Sequence, residues 1–258
     1  MIPPMIPGDD RGLLLGDGLF ETLLAVDGAL EDVEAHLNRM DRGCAVLGID
    51  PPARADALAA LQGALESAGL MMGRAAARLT LTAGSGRGLD RPADARPRLF
   101  AMAAPALAPR GPVRLATVDI RRNETSPVSR LKSLSYLDNV LARVQARAAG
   151  ADEALMLNTK GELACAAAAN LFWIAGGRLF TPALECGVLD GIMRARLIGA
   201  ARSMGVEVAE VASGPEALEG ADAVLITSSL IGAAPAESLD GRRFAASPLA
   251  EALSSRCR

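Results

Sequence analysis

Histidine is nearly absent from this chain of 258 residues, which contains His36 and no other. A Ser-His-Asp triad away from His36 and most histidine-ligated zinc sites are therefore excluded. Cysteine is also scarce, with four residues at Cys44, Cys165, Cys186 and Cys257. Their spacing matches no metal-ligand motif, so the sequence predicts no metal site and a cytoplasmic protein with reduced thiols. If the chain is an enzyme, its acid–base group is expected to be a lysine, a carboxylate or a tyrosine.

Long apolar runs, aromatic residues and excess positive charge are missing as well. No apolar run reaches the length of a membrane span, and the proline-broken residues 1–7 lack the basic region of a signal peptide. The formal net charge is −3 and only 3% of the residues are aromatic. No basic stripe is present, so neither nucleic acid nor a membrane is an expected partner. The length allows one large domain or two modest ones with an ample core.

Lysine is rare, because 25 of the 27 basic residues are arginine and only Lys132 and Lys160 are lysine. An arginine stays protonated, whereas a lysine in an apolar pocket can lose its proton near neutral pH and attack a carbonyl. Lys132 lies in the half-apolar segment 131–137, so it is a candidate Schiff-base lysine. The alternative is a lysine on an amphipathic helix that extends its ammonium into water. Lys160 lies in a predicted turn and is expected to be a solvated charge.

The first half of the chain has alternating helix and strand patterns. Asp27 and Gly28 predict a tight hairpin turn after a strand, and Asp32 is a plausible N-cap for the first helix. His36 and Arg39 are adjacent on that helix, where the simplest interpretation is a polar edge. The predicted helices cover residues 32–47 and 53–68, and the predicted strands cover 19–26, 78–83 and 98–104.

Prolines at 105–112 predict a linker that separates a domain at residues 1–108 from a second at 109–258. The second half is predicted to contain helices at 137–149 and 192–204 and strands at 153–157, 163–165, 170–174, 206–211 and 223–227. The helix that follows Gly191 offers free N–H groups and the positive end of its dipole to an anion. The hydroxyls at 227–229 suit either capping or phosphate contact.

The glycine-rich loop at residues 84–88 lacks the spacing and the following helix of a phosphate-binding fingerprint. It could instead let the backbone approach a ligand while Arg87 offers its guanidinium to a carboxylate. This makes Arg87 a candidate substrate-binding residue.

Six motifs occur in order along nearly the whole chain: DRG and GDGLFET at 10–22, HLNR at 36–39, KSL at 132–134, GADEA at 150–154, ANLF at 169–172 and GIMR at 191–194. Together they resemble the fold-type IV pyridoxal-phosphate enzymes, a family that includes branched-chain and D-amino-acid aminotransferases and 4-amino-4-deoxychorismate lyase. The resemblance implies an α+β fold with a small α/β N-terminal domain and a larger β-rich C-terminal domain carrying the cofactor lysine. It also implies pyridoxal 5'-phosphate, a small-molecule amino substrate and a homodimer.

Carried over by position, the resemblance makes Lys132 the lysine that binds the cofactor covalently and later moves protons. It assigns the cofactor phosphate to the Arg39 guanidinium and to the backbone N–H groups of Ile192 and Met193. A hydroxyl of Ser228 or Ser229 would add a further phosphate contact.

The choice of reaction rests on shorter similarities. Residues 166–173, residues 191–194 and the loop with Arg87 look most like the lyase. The segments around Phe20 and Lys132 look equally like the D-amino-acid aminotransferases. Arg87 and Phe20 are the substrate-binding candidates. The preferred interpretation is the lyase, which releases pyruvate and 4-aminobenzoate in folate biosynthesis. The alternatives are a D-amino-acid or branched-chain aminotransferase, and a cofactor-binding protein with little turnover.

Cys165 departs from the family pattern. The resemblance places a glutamate there, five residues before Asn170, where it pairs with the pyridine nitrogen of the cofactor. A thiol is a weak hydrogen-bonding group and cannot hold a pyridinium as a carboxylate does. The ring's capacity to accept electrons depends on the partner of that nitrogen, so Cys165 bears directly on the reaction.

Overall fold

The computed structural model describes residues 5–107 and 111–257. The chain divides into two compact units, Met1–Ala108 with Leu131–Tyr136, and Pro109–Arg130 with Leu137–Arg258. The predicted boundary between residues 108 and 109 lies outside the described residues. The mixed architecture confirms the predicted α+β class, and the second unit is rich in strands.

The described part of the first unit is an antiparallel sheet covered by two helices. Its elements are α1 (Arg11–Leu15), β1 (Gly18–Val26), β2 (Ala29–Leu30), α2 (Val33–Leu47), α3 (Arg54–Ser67), β3 (Arg74–Thr82) and β4 (Arg98–Pro105). The strands lie in the order β2-β1-β3-β4. Asp27 and Gly28 have φ angles of 48° and 78°, as a type I′ hairpin turn requires.

Period-two alternation along β1 decides which side chains reach the helices. Leu19 and Leu23 are buried against Leu37 of α2 and Leu61 of α3, so odd-numbered positions of β1 face the helical layer. Phe20 therefore points to the opposite face of the sheet. Asp32 precedes α2, as predicted, but its side chain makes no capping hydrogen bond to the helix.

The segment that carries Lys132 packs with the first unit, so its predicted assignment to the C-terminal domain is wrong. The N–H of Phe20 donates to the carbonyl of Lys132 at 2.9 Å, and the N–H of Leu134 donates to the carbonyl of Gly18 at 3.0 Å. Leu131 packs against the core of the first unit. Linear order could not reveal this placement, because the segment pairs with a strand from far earlier in the chain.

The described part of the second unit is a large mixed sheet with three helices. Its elements are β5 (Val113–Thr117), α4 (Leu137–Ala148), β6 (Glu153–Leu157), β7 (Leu163–Ala166), β8 (Asn170–Ala175), β9 (Arg178–Pro182), α5 (Ile192–Ser203), β10 (Val208–Val211), β11 (Ala223–Ser228), β12 (Gly232–Leu239), β13 (Arg242–Arg243) and α6 (Pro248–Ser255). The strand order is β10-β9-β8-β11-β12-β5-β6-β7, with β13 beside β12. An additional pairing between β7 and β8 closes part of the sheet into a barrel.

Four strands of this sheet, β6, β7, β8 and β11, are buried on both faces, which explains their continuous apolar runs. Leu171 of β8 packs into one apolar cluster, and its neighbour Phe172 packs into another with Leu197 of α5 and Leu253 of α6. Helix α4 begins at Leu137 and ends at Ala148, within one residue of its prediction. Over the residues described, no helix combines the length and the apolar character needed to cross a membrane.

Candidate active site

Lys132 lies beside two aromatic rings in the first unit. Its Nζ atom is 4.4 Å from the centroid of the Phe20 ring and 5.6 Å from that of Tyr136. The two rings meet edge to face, with centroids 5.2 Å apart. Lys132 is partly buried and lies outside any helix, so it is not a helical lysine extended into water. Lys160 is exposed in a turn, as predicted.

The pKa of Lys132 is lowered to about 8, chiefly because burial disfavours the charged ammonium. The guanidinium groups of Arg39 and Arg78 act in the same direction, whereas the carboxylate of Glu21 opposes the shift. A lysine with this pKa is partly deprotonated near neutral pH. That is the form in which an amine attacks a carbonyl.

We expect the reaction of Lys132 with an amine-acylating reagent to reach half its maximal rate near pH 8, against roughly pH 10.4 for a free lysine side chain. Below that pH the protonated ammonium does not react, so the rate rises as pH increases. Peptide mapping after labelling at a series of pH values measures this directly, since Lys160 is the only other lysine side chain. A midpoint near that of free lysine would contradict the burial of the ammonium.

His36 and Arg39 are buried around Glu21 and do not form a solvent-facing edge of α2. The Glu21 carboxylate accepts hydrogen bonds from Nε and Nη2 of Arg39 at 2.8 and 2.6 Å, and its Oε2 lies 2.7 Å from Nδ1 of His36. Burial alone would raise the pKa of Glu21, but the hydrogen bonds from Arg39 and His36 outweigh it and leave the pKa lowered. The helical spacing indicated the neighbours on α2, but not the carboxylate that joins them from β1.

Arg78 is a candidate site residue that sequence reasoning missed. Its guanidinium carbon lies 3.6 Å from the centroid of the Phe20 ring, a cation–π geometry. Burial lowers the pKa of Arg78, although the nearby Tyr136 acts in the opposite direction, and no hydrogen bond or ion pair of Arg78 is found within residues 5–107 or 111–257. The signal that could have found it is strand register, because Arg78 pairs with Thr22 and so shares a face with Phe20.

The glycine-rich loop is fixed by Arg11, whose guanidinium donates to the carbonyl oxygens of residues 88–90 at 2.9–3.1 Å. Arg11 also pairs with Asp17 at 2.8 Å. Arg87 is exposed on this loop, and no ion pair to it is found within residues 5–107 or 111–257. Its role in binding a substrate carboxylate stays a prediction.

The predicted phosphate site of the second unit begins at Gly191, which precedes α5 without a side-chain cap. Ile192 and Met193 are the first two residues of that helix and are both buried. The first N–H groups of a helix have no partner within the helix, so they are available to an anion. A Cβ atom at Gly191 would lie 1.9 Å from Oδ1 of Asn170, and only glycine fits there.

Hydroxyl groups lie at the end of β11. Thr227 pairs with Asn170 across β11 and β8, and its buried Oγ1 has no hydrogen-bond partner in the part of the chain that the structure describes. Ser228 ends the strand and Ser229 follows, both half-buried. A buried hydroxyl without a partner costs free energy unless water or a ligand binds it. Thr227 therefore joins Ser228 and Ser229 as a candidate phosphate ligand.

Cys165 is buried in β7 opposite Met156 of β6. Burial raises the pKa of its thiol. The charge of Glu153 also raises this pKa, whereas the charge of Arg122 lowers it. The thiol is therefore neutral near pH 7. Glu153 does not replace the carboxylate that the resemblance places at position 165, because Arg143 binds it. Among the described side chains, no group of three or more histidine, cysteine, aspartate or glutamate residues could hold a metal ion.

Comparison with known proteins identifies the family. Residues 18–239 match the family described as amino-transferase class IV. The chain belongs to the class IV aminotransferase family. An aminodeoxychorismate lyase of Bacillus subtilis is 30% identical over 229 residues, which cover 86% of this chain and 77% of the relative. A Methanocaldococcus jannaschii protein provisionally named a branched-chain-amino-acid aminotransferase is 35% identical over 238 residues, covering 90% and 82% of the two chains.

Solved structures of class IV enzymes superpose over nearly the whole chain. A Legionella pneumophila protein provisionally named 4-amino-4-deoxychorismate lyase has a TM-score of 0.89 and 32% identity, covering 98% of this chain and 94% of its own. A hypothetical aminotransferase from Mycobacterium tuberculosis in its pyridoxal-phosphate-bound form has a TM-score of 0.89 and 26% identity, covering 100% and 94%. The fold-type IV architecture and the predicted family are thereby confirmed.

Pyridoxal phosphate is the cofactor of class IV enzymes and of this chain, as the sequence predicted. Each unit, taken by itself, has groups that suit part of it. Lys132, with its lowered pKa, suits the carbonyl of the cofactor, and the first N–H groups of α5 with the unpartnered Thr227 hydroxyl suit a phosphate. Cys165 fits less well, since a neutral thiol offers the ring nitrogen no counter-charge.

Replacing Gly191 with alanine is expected to weaken pyridoxal phosphate binding by about tenfold or more, which is 1.4 kcal/mol. The new Cβ would meet Asn170 Oδ1 and force the start of α5 to shift. Gly199→Ala is the matched control in the same helix, where a Cβ meets nothing within 4 Å. Absorbance titration with the cofactor measures both variants, and equal affinities would remove the start of α5 from the site.

Proposed function

We propose that this class IV enzyme is a 4-amino-4-deoxychorismate lyase, which releases pyruvate and 4-aminobenzoate for folate biosynthesis, and that it acts in the cytoplasm as a homodimer. The observation that carries the choice of reaction is the neutral, buried thiol of Cys165. The relatives from B. subtilis and L. pneumophila that carry the lyase name support it.

Cys165 favours the lyase because the two reactions make different demands on the cofactor ring. Transamination carries electrons from the substrate into the ring and returns them at a different carbon, so it depends strongly on the ring nitrogen. The lyase reaction also removes a proton from the carbon bearing the amine, but it then expels pyruvate and forms an aromatic ring. Aromatisation lowers the energy of the products and reduces the demand on the nitrogen partner.

Two side chains of the first unit carry the proposed roles. Lys132, with a pKa of about 8, can take the proton from the carbon that bears the amine and return it later. Arg78, desolvated and stacked on Phe20, is suited to receive a substrate carboxylate through a charge-assisted hydrogen bond. Pyridoxal phosphate, when bound, supplies the electron sink for this chemistry.

The charge around Lys132 suits an anionic substrate. Arg39 and Arg78 add two cationic groups near the Lys132 ammonium, and Glu21 is the carboxylate that opposes their effect on the Lys132 pKa. The cofactor phosphate would neutralise part of this positive charge, and the carboxylate groups of a substrate would neutralise more of it. Aminodeoxychorismate carries two carboxylates, whereas a branched-chain amino acid carries one.

Two assays on the cofactor-loaded protein test the proposal. One measures release of 4-aminobenzoate from aminodeoxychorismate, and the other measures amino-group transfer from D-alanine or L-leucine to 2-oxoglutarate. We expect kcat/KM for release to exceed that for transfer. Faster transfer would assign the chain to the aminotransferases. A cofactor spectrum with neither activity would indicate a binding protein with little turnover.

A branched-chain or D-amino-acid aminotransferase is the second candidate. It is favoured by the M. jannaschii relative, whose 35% identity is above that of the B. subtilis lyase. Arg78 would then hold the carboxylate of an amino acid. Cys165 weighs against this candidate, because amino-group transfer depends more strongly on the cofactor ring nitrogen.

Arg78→Met is expected to lower kcat/KM by about 10-fold to 150-fold, since a hydrogen bond to a charged group contributes about 1.5–3 kcal/mol. The loss arises because methionine keeps the contact with Phe20 but cannot bind a carboxylate. Arg87→Met is the matched comparison on the exposed loop. Steady-state kinetics of both variants show which arginine binds the substrate carboxylate. A large loss confined to Arg87→Met would establish Arg87 as the carboxylate receptor.

A further inference from the structure

Glu21 is a buried carboxylate to which none of the proposed roles refers. Only 1% of its surface is exposed, and it accepts two N–H groups of Arg39 through both of its oxygens. A carboxylate next to a predicted phosphate ligand would repel the phosphate. A carboxylate beside Arg39 must therefore contribute something that offsets this repulsion.

The contribution of Glu21 is to fix the orientation of the Arg39 guanidinium. The fork of two hydrogen bonds fixes both the position and the plane of the Arg39 guanidinium, which a single contact would leave free to rotate. Burying such a side chain without a partner would cost several kcal/mol, and Glu21 removes that penalty.

His36 braces the same carboxylate from one turn earlier on α2. Its Nδ1 lies 2.7 Å from Oε2 of Glu21, and His36 is only 1% exposed. Because the lowered pKa of Glu21 keeps it ionised, Oε2 can only accept, and Nδ1 of His36 must donate. The carboxylate is thus held on two sides by α2.

Glu21 also adjoins the residue that anchors the Lys132 segment. The next residue toward the N-terminus, Phe20, donates its N–H to the carbonyl of Lys132. Strand β1 therefore carries, at consecutive positions, a backbone contact to the Lys132 segment and a side-chain contact to Arg39. A rigid strand fixes both groups to about the precision that a binding site requires.

We propose that Glu21 is a positioning residue of the cofactor site, which holds Arg39, with His36 as a brace, in the orientation that binds the cofactor phosphate. The proposal rests on the assignment of pyridoxal phosphate and of Arg39 to this site. Glu21 itself touches no phosphate, and its effect passes through Arg39.

Dissociation constants for pyridoxal phosphate and for pyridoxal, which lacks the phosphate, test the proposal in the chain of 258 residues. Glu21→Gln removes the charge, and Glu21→Asp keeps it but shortens the reach by one methylene. We expect both to weaken pyridoxal phosphate binding by about tenfold, the lower end of the effect of losing a partner that orients a metal ligand. Pyridoxal affinity should be unchanged, which a general structural defect would not produce.

A double variant separates a positioning role from other effects. In an Arg39→Met background, adding Glu21→Gln should leave the pyridoxal phosphate affinity where Arg39→Met alone puts it. The double variant removes both charges, so it is expected to fold even if Glu21→Gln alone leaves Arg39 buried without a counter-charge and unfolds. Additive losses, unchanged affinity in Glu21→Asp, or equal losses for the two ligands would overturn the proposal.

A different result would contradict the assignment of Arg39 as a ligand of the cofactor phosphate. If Arg39→Met alone leaves pyridoxal phosphate affinity unchanged, Arg39 is not a phosphate ligand and its assignment to the cofactor site is wrong. If Arg39→Met weakens pyridoxal phosphate binding while the Glu21 variants do not, the phosphate site stands and only the role of Glu21 is lost.

Discussion

Replacing Lys132 with alanine is expected to lower kcat/KM by at least about 10³-fold, within the range for losing a general base, and to prevent covalent attachment of the cofactor. Lys132 is the partly buried lysine beside the Phe20 ring and has a pKa of about 8. Treating the cofactor-loaded protein with borohydride and mapping the labelled peptide measures attachment. Label should appear on the peptide containing residue 132 in the protein without the substitution, and it should be absent from Lys132→Ala.

Two controls accompany Lys132→Ala. Lys160→Ala removes the exposed turn lysine and should leave both attachment and rate unchanged. Lys132→Arg keeps a cation beside Phe20 but supplies a group that stays protonated and cannot attack a carbonyl. Label that persists in Lys132→Ala, or moves to Lys160 in the unchanged protein, would contradict the assignment of Lys132.

Helices and turns were predictable where local chemistry determines them. The apolar spacing of α2 and the Asp27-Gly28 turn depend on residues only a few positions apart, and both lie where the sequence predicts them. These features follow from helical and strand periods that neighbouring residues impose. Composition was also informative, because the scarcity of lysine and the half-apolar segment around residue 132 together single out Lys132.

Long-range pairing was not predictable in the same way. The Lys132 segment was expected in the second domain but pairs with β1. Arg78 reaches Phe20 only through the register of β1 and β3, and Glu21 reaches Arg39 only because β1 packs under α2. Even the nearest of these pairs, Glu21 and Arg39, is 18 positions apart in the chain, so no local spacing marks the contacts.

Cys165 combines a departure from the family pattern with an unusual local environment. The sequence identified it by position, as the residue at which the family resemblance implies a glutamate. The structure adds its environment: a buried thiol with a raised pKa, beside Arg122, whose Nε has no hydrogen-bond partner in the described part of the chain. A carboxylate introduced at position 165 would therefore meet a nearby cation with an unsatisfied donor, which favours its ionised form.

Cys165→Glu is expected to raise amino-group transfer by a larger factor than 4-aminobenzoate release. A charged partner contributes about 1.5–3 kcal/mol more than none, so a gain in transfer of about 10-fold or more is expected where the ring nitrogen limits the rate. Release of 4-aminobenzoate should gain less, because aromatisation of the product already lowers the demand of this reaction on that nitrogen.

Cys165→Ser is the control, since it changes the hydrogen-bonding atom without adding charge or length. It should change the ratio of the two rates little. Parallel assays of both reactions on each cofactor-loaded variant give that ratio. Equal gains in the two reactions, or a gain in release alone, would mean that Cys165 does not bias the chemistry toward the lyase.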